Sequence, residues 1–193
     1  MARKKQQITI EDIIKLGPKK IIALIIAAAA AYFGGQGLLD FGQAPQDDSG
    51  FIVATVSRVV DGDTMVVKVD GQERRVRLLG VDTPETVHPN KPVQFYGKEA
   101  SNFTKSQLTG KRVWLEYDKS PQDRYNRHLA YVWTAKPTSI NESTMRRDMF
   151  NARLLLGGYA KVMIIRPNNR YASQFAKFEG EARSSGLGVW SAN

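Results

Sequence analysis

The hydrophobic pattern divides the chain into two textures. Residues 1–20 form a basic leader in which Ile10, Ile13 and Ile14 share one helical face, behind a Thr9–Asp12 pair spaced like a capping box. Gly17 and Pro18 interrupt that pattern. Ile21–Phe33 (IIALIIAAAAAYF) then runs for 13 residues without a charge, and continued to Leu39 it gives 19 residues with Gln36 as the one strongly polar position. At ~1.5 Å per residue such a helix is ~28 Å long, close to a bilayer core of ~30 Å. Positive charge ahead of it predicts the N-terminus inside and the rest exported. Residues 21–39 are therefore expected to be a hydrophobic helix retained as a signal-anchor, with membrane contact through this segment. The alternative is a signal peptide: Ala29-x-Ala31 offers a cleavage site just before Tyr32, and cleavage would give a secreted product. Asp40–Gly50 (DFGQAPQDDSG) is polar and turn-rich, and reads as a 40–50 linker.

From about Phe51 the pattern changes to β. Ile52–Val60, Met65–Val69 and Arg74–Val81 are rich in β-branched residues, and Asp70-Gly71 between the last two signals a tight hairpin. Tyr96–Leu108 predicts a helix that stops at Gly110. Arg112–Tyr117 and Leu129–Thr134 predict two more strands, and Met149–Leu156 and Tyr171–Ser185 two more helices. Five strands and about three helices in this order predict an α+β domain over residues 51–193. Its expected core is a five-stranded barrel of the oligonucleotide-binding (OB) type with flanking helices.

Composition narrows the chemistry. The 193 residues carry no cysteine, which removes disulfides, thiol catalysis and Cys-based zinc sites, and two histidines are too few for a multi-histidine metal centre. The net charge of +9 is concentrated in the β domain, where 22 basic residues face 14 acidic ones. Such a surplus attracts polyanions, either nucleic acid or an anionic membrane surface.

Two acidic stretches sit at strand ends. One is Val60-Asp61-Gly62-Asp63-Thr64; the other is Arg77-Leu78-Leu79-Gly80-Val81-Asp82-Thr83-Pro84-Glu85. Asp63 and Asp82 can supply carboxylates to one hard cation, and Pro84 biases Thr83 towards an extended conformation that leaves its carbonyl available. An EF-hand is excluded, because counting from Asp61 puts Val66 and Gln72 where the loop requires glycine and glutamate. Glu85 is placed to orient or deprotonate a water. Arg75 and Arg77 share one face of their strand, opposite Val76 and Leu78. Asp123–Tyr131 (DRYNRHLAY) brings further cations to the start of another strand.

These residues together resemble the staphylococcal nuclease family. VVDGDT, RLLGVDTPETVHP, YGKEASNFT, DRYNRHLAYV and AKV…RPNN occur in the family's order, and the resemblance covers Phe51–Ser191. It implies an OB barrel and a calcium-dependent hydrolysis of DNA or RNA phosphodiesters that leaves 3′-phosphate ends. It further implies that Asp63, Asp82 and the Thr83 backbone hold Ca2+, and that Glu85 acts on the attacking water. By the same resemblance Arg77 and Arg127 bind the phosphate, and Arg124, Tyr125 and Leu129 line the nucleotide. The chain departs from the family pattern after AKV. Two nucleotide-holding tyrosines are replaced, at Ile164 and Arg166 or at Met163 and Ile165 according to the direction of alignment. Pro137–Asp148 reads as an inserted loop. A catalytically silent nucleic-acid-binding module on the same barrel is the alternative function, and a membrane-surface adaptor a more distant one. Oligomeric state is not legible.

Overall fold

The computed structural model describes residues 50–86 and 92–191. The basic leader, the 21–39 hydrophobic helix and all of the linker except Gly50 lie outside the described residues, as does His88.

Alternating side chains build the barrel. Strands β1 (Phe51–Asp61), β2 (Thr64–Val69), β3 (Gln72–Leu78), β5 (Arg112–Gln122) and β6 (His128–Trp133) close in the order β1-β2-β3-β6-β5. The inward set includes Val56, Met65, Val67, Val76, Leu78, Val113, Leu115, Ala130 and Val132, all essentially buried. Burying each of the larger aliphatic chains contributes about 1.5–3 kcal/mol. Neighbouring strands are antiparallel except β3 and β6, which run parallel with Val76 opposite His128 and Leu78 opposite Ala130. The β2–β3 hairpin turns at Asp70 (φ 50°) and Gly71 (φ 80°), as a two-residue turn with both central residues left-handed requires. Irregularities in the β1–β2 register bend the long first strand as the sheet closes on itself.

The expected strand Arg74–Val81 is two strands. The path breaks at Leu79, and β4 (Gly80–Asp82) leaves the barrel to pair with β7 (Lys161–Met163) in a separate ribbon. Gly80 adopts φ 75°, and the ring of Phe175 occupies the space a Cβ would need. Asn151 secures the break: its side chain donates to Leu79 O at 2.8 Å and accepts the Val132 N–H at 2.8 Å. The consequence for function is that Asp82 and Thr83 are carried out to the barrel rim.

Among the described residues, four helices pack on the barrel where about three are expected: α1 (Gly97–Leu108), α2 (Glu142–Asp148), α3 (Phe150–Leu156) and α4 (Ala172–Ser184). The additional one, α2, forms within the insertion. Asn141 and Thr144 make a reciprocal capping box at its start. Arg146 reaches Glu142 on its own helix and Glu181 on α4, so the insertion is fastened to the helical flank. Helix α1 buries Ala100, Thr104 and Leu108, and the Thr104 hydroxyl donates to Gly62 O at 2.7 Å. That bond fixes the turn that presents Asp61 and Asp63. On the far side, the buried carboxylate of Glu116 accepts from Trp133 Nε1 at 2.8 Å and from the Tyr171 hydroxyl at 2.7 Å, which joins the barrel to the start of α4.

Candidate active site

The two acidic stretches meet because β2 and β3 are paired. Thr64 lies opposite Arg77 in that hairpin, so the β1–β2 turn and the end of β3 face each other across the rim. Gly62 is required for the approach. A Cβ there would stand 2.7 Å from Thr83 Oγ1 and 2.8 Å from Thr83 Cβ. The result is a cavity of about 270 Å³ whose walls include Asp61, Asp63, Arg75, Arg77, Asp82, Thr83, Glu85 and Arg127. Six of the sequence-predicted residues therefore converge on one space.

Arg77 organises the floor. Alternation along β3 sets it opposite the core-facing Val76 and Leu78, yet it is only 5% exposed. Its Nη1 donates to Leu78 O and Val81 O, both at 2.7 Å. Its Nη2 faces Asp82 Oδ1 at 2.8 Å and Asp63 Oδ2 at 3.1 Å. A buried guanidinium held by two carbonyls and two carboxylates is satisfied as well as paired, which is the condition under which burying it is tolerable. Asp63 is fixed in turn: Oδ2 accepts the Thr83 N–H at 3.0 Å and Oδ1 accepts the Thr64 hydroxyl at 3.0 Å. Asp82 differs, with its side chain 54% exposed towards the cavity.

Crowding of carboxylates shows in their proton affinities. Burial raises the Asp82 carboxyl above its ordinary range, and the negative charges of Asp63 and Glu85 add to this against the pull of Arg77. Asp61 is raised as well, chiefly by burial, although its Oδ1 accepts the Thr86 hydroxyl at 2.6 Å and the Gly62 N–H at 2.8 Å. Glu85 is half-buried, and its backbone N–H donates to Gln94 Oε1 at 2.9 Å.

Arg127 enters from the β5–β6 connection. Asp123 accepts the backbone N–H groups of Tyr125 at 2.8 Å and Arg127 at 3.0 Å on one oxygen, closing a tight loop with Asn126 at φ 58°. The other oxygen takes Arg127 Nε and Nη2, both at 2.7 Å. Burial works upward on the Asp123 carboxyl, but the bonds from Arg127 and Tyr125 hold it below its usual range.

None of the three residues expected to line a nucleotide belongs to the cavity wall. Arg124 and the 63%-exposed Tyr125 stand on the loop outside the cavity, with the Arg124 guanidinium 4.8 Å from the ring centroid. Leu129 is 1% exposed and belongs to the hydrophobic core rather than to the cavity wall. Met163 and Ile165 do line the cavity, so these are the replaced positions that face it. Asp61 and Arg75 are cavity residues that sequence reasoning did not assign a role; the DGD repeat and the shared face of Arg75 and Arg77 were the available signals.

As a metal site, the donor set is mixed. Among the described residues, no three His, Asp or Glu side chains are grouped closely enough to hold a metal ion. Two carboxylates, a backbone carbonyl and space for water nevertheless suit a hard cation that accepts varied oxygen ligands. The buried Thr83 Oγ1, which has no hydrogen-bond partner, adds an unmatched oxygen at the same place.

Comparison with known proteins identifies the family. The model of the staphylococcal nuclease homologue family matches residues 75–192. The chain is 49% identical over 135 residues to a thermonuclease of Staphylococcus intermedius, covering 70% of this chain and 74% of that protein. It is 47% identical over 136 residues to a thermonuclease of Staphylococcus hyicus, with the same coverage of 70% and 74%. An SPbeta prophage-derived endonuclease of Bacillus subtilis is 41% identical over 141 residues, covering 72% of this chain and 44% of that protein. With the barrel, the rim cavity and these relatives together, the chain belongs to the staphylococcal nuclease homologue family and is a nuclease.

Proposed function

We propose that this nuclease is calcium-dependent and largely indifferent to sequence, and that it hydrolyses DNA or RNA phosphodiesters to 3′-phosphate ends. One observation carries the reading: Arg77, Arg127, Glu85, Asp63, Asp82 and Thr83 line a single cavity of about 270 Å³. Asp63, Asp82 and the Thr83 carbonyl are the calcium ligands in this scheme. When bound, calcium supplies Lewis-acid polarisation of a phosphoryl oxygen and a template for the substrate.

The side chains divide the remaining work. Glu85 orients a water and takes its proton as the water oxygen bonds to phosphorus. The bond to the 5′-oxygen breaks, and a proton returns to that leaving oxygen. The diester carries about one negative charge before attack and nearly two at the transition state. Cations set for the second charge therefore bind the transition state in preference. Arg127 suits this role, because Nε and Nη2 are committed to Asp123 and Nη1 is left to reach the phosphate. Arg77 is deeper and fully engaged, so it acts mainly by fixing Asp63 and Asp82, with its charge still felt in the cavity. Arg124 and Tyr125 offer a cation and an exposed ring at the cavity's outer edge, where a base can stack. Single-stranded or frayed substrates fit a rim cavity of this type better than rigid duplex does.

The 21–39 hydrophobic run, with lysines ahead of it, supports an exported nuclease domain held at a membrane. Plasmid degradation with calcium and with a calcium chelator, assayed on membrane and soluble fractions, tests both parts. Degradation only with calcium, in the membrane fraction, is expected. Undiminished activity in chelator removes the metal from the scheme, and activity confined to the soluble fraction removes the anchor.

A further inference from the structure

Among the described residues, three arginines line the cavity, and two of them are committed to carboxylates. Arg77 is held by Asp63 and Asp82, and Arg127 by Asp123. The third, Arg75, is exposed, and its side chain makes no ion pair or hydrogen bond with any described residue. This is informative because four carboxylates, Asp61, Asp63, Asp82 and Glu85, line the same space. A guanidinium left unpaired beside four acids keeps its full charge and its planar donor fork for a ligand from solution.

Its position is set by the strand. Arg75 lies opposite Val66 and Arg77 opposite Thr64 in the β2–β3 pair, so the two arginines share a face two residues apart. At ~3.3 Å per residue their Cα atoms are ~6.6 Å apart. That is close to the separation of successive phosphates along an extended single strand. Arg77 is buried at the inner end of this row and Arg75 is exposed at the outer end. Val60 and Thr64 line the same cavity.

We propose that Arg75 forms a subsite for a phosphodiester flanking the scissile one, so that the chain grips a polynucleotide strand at a second phosphate. The inference rests on the nuclease reading and deepens it. The ligand is a singly charged phosphodiester in a strand, recognised by charge and by the two-oxygen fork, without reading base sequence. The subsite favours strands over dinucleotides, because only a strand carries the flanking phosphate.

The test combines substitution with removal of one phosphate charge. Single-stranded oligonucleotides with one cleavable linkage carry a neutral methylphosphonate at each flanking position in turn. For the wild-type chain, one such position should lower kcat/KM by about tenfold, mainly through KM, in line with a lost charge-assisted hydrogen bond. Arg75→Gln should lower kcat/KM by a similar factor on the all-phosphate strand and then be insensitive to the methylphosphonate at that position. Arg75→Lys should recover part of the loss. The proposal is overturned if Arg75→Gln matches wild type on the all-phosphate strand, or if its methylphosphonate profile is the same as wild type at every position. Failure of the wild-type chain to cut the all-phosphate strand with calcium would instead defeat the nuclease reading. Arg75 is then judged by binding alone. The log–log salt slope for a single strand should shrink by about 0.7 in Arg75→Gln, and an unchanged slope overturns the subsite.

Discussion

Arg127 is fastened to Asp123, four residues before it, through two nitrogens that share one carboxylate oxygen at 2.7 Å each. The other oxygen of Asp123 holds the backbone of the same loop. One carboxylate therefore sets both the path of the chain and the direction of the guanidinium. Removing the guanidinium should cost most. Arg127→Ala is expected to lower turnover by at least ~100-fold, comparable to losing an oxyanion donor at roughly 2.7–4 kcal/mol. Asp123→Ala leaves the cation present but unaimed, so a loss of about tenfold, ~1.4 kcal/mol, is expected. The double variant should be no slower than Arg127→Ala alone, since Asp123 acts through Arg127. Steady-state kinetics on one single-stranded substrate checks all three, and additive losses would show that Asp123 has a separate role.

Asp82 gives a prediction about metal and pH. Its carboxyl is raised by burial and by the neighbouring acids, so the ionised form is disfavoured in the folded, metal-free chain. A carboxylate raised on folding binds its proton more tightly in the folded state, so this contribution favours the fold at low pH. It is lost as pH rises through the raised pKa. Asn is neutral at every pH and imitates the protonated form. Asp82→Asn should therefore leave the calcium-free Tm at neutral pH equal to or above that of the wild type. It should also abolish the rise in Tm that calcium produces, since that rise measures binding to the folded state. Protons should displace calcium above the ordinary carboxylate range, because the ligand must lose its proton to bind. Thermal melts with and without calcium across mildly acidic to neutral pH decide the matter. A calcium-dependent rise retained in Asp82→Asn would exclude Asp82 as a ligand.

The parts of the fold and site legible in the sequence are those written in local pattern. Strand alternation and the Asp70-Gly71 turn located the barrel, and the two acidic stretches with their arginines located the cavity. The burial of Arg77 was not legible. Period-two alternation assigns it the face opposite the core, but at a closed barrel's rim the β4–β7 ribbon covers that face too. The break at Leu79 was hidden for a similar reason: Leu78-Leu79-Gly80-Val81 is apolar throughout, and the cause of the break is distant in sequence, with Phe175 pressing on Gly80. Helix α2 is too short to show a hydrophobic period, and it is defined by its cap and by its ion pairs to α4.

Gly80 should tolerate no side chain. At φ 75° an L-residue is strained, and the Phe175 ring fills the position of a Cβ. Backbone strain and overpacking together are expected to cost about 3 kcal/mol in Gly80→Ala. Denaturant unfolding measures this. Because β4 carries Asp82 and leads directly to Thr83, calcium affinity should weaken in parallel. A variant as stable as wild type would mean that β4 shifts without loss.

Thr83 separates a backbone ligand from a side-chain ligand. In the proposed scheme its carbonyl faces calcium, and its N–H is already given to Asp63 Oδ2 at 3.0 Å. Its hydroxyl is buried without a partner, packed against the Gly62 backbone. Thr83→Ala keeps the carbonyl and the N–H, removes an unsatisfied polar atom and leaves only a small void. The lost packing and the removed desolvation penalty oppose each other, so stability should change by less than about 1 kcal/mol. The calcium-induced rise in Tm should persist, with turnover within a few-fold of wild type. Loss of the calcium response in a folded Thr83→Ala protein would transfer the ligand role from the carbonyl to the hydroxyl. The coordination scheme would then need the Thr83 side chain turned towards the ion.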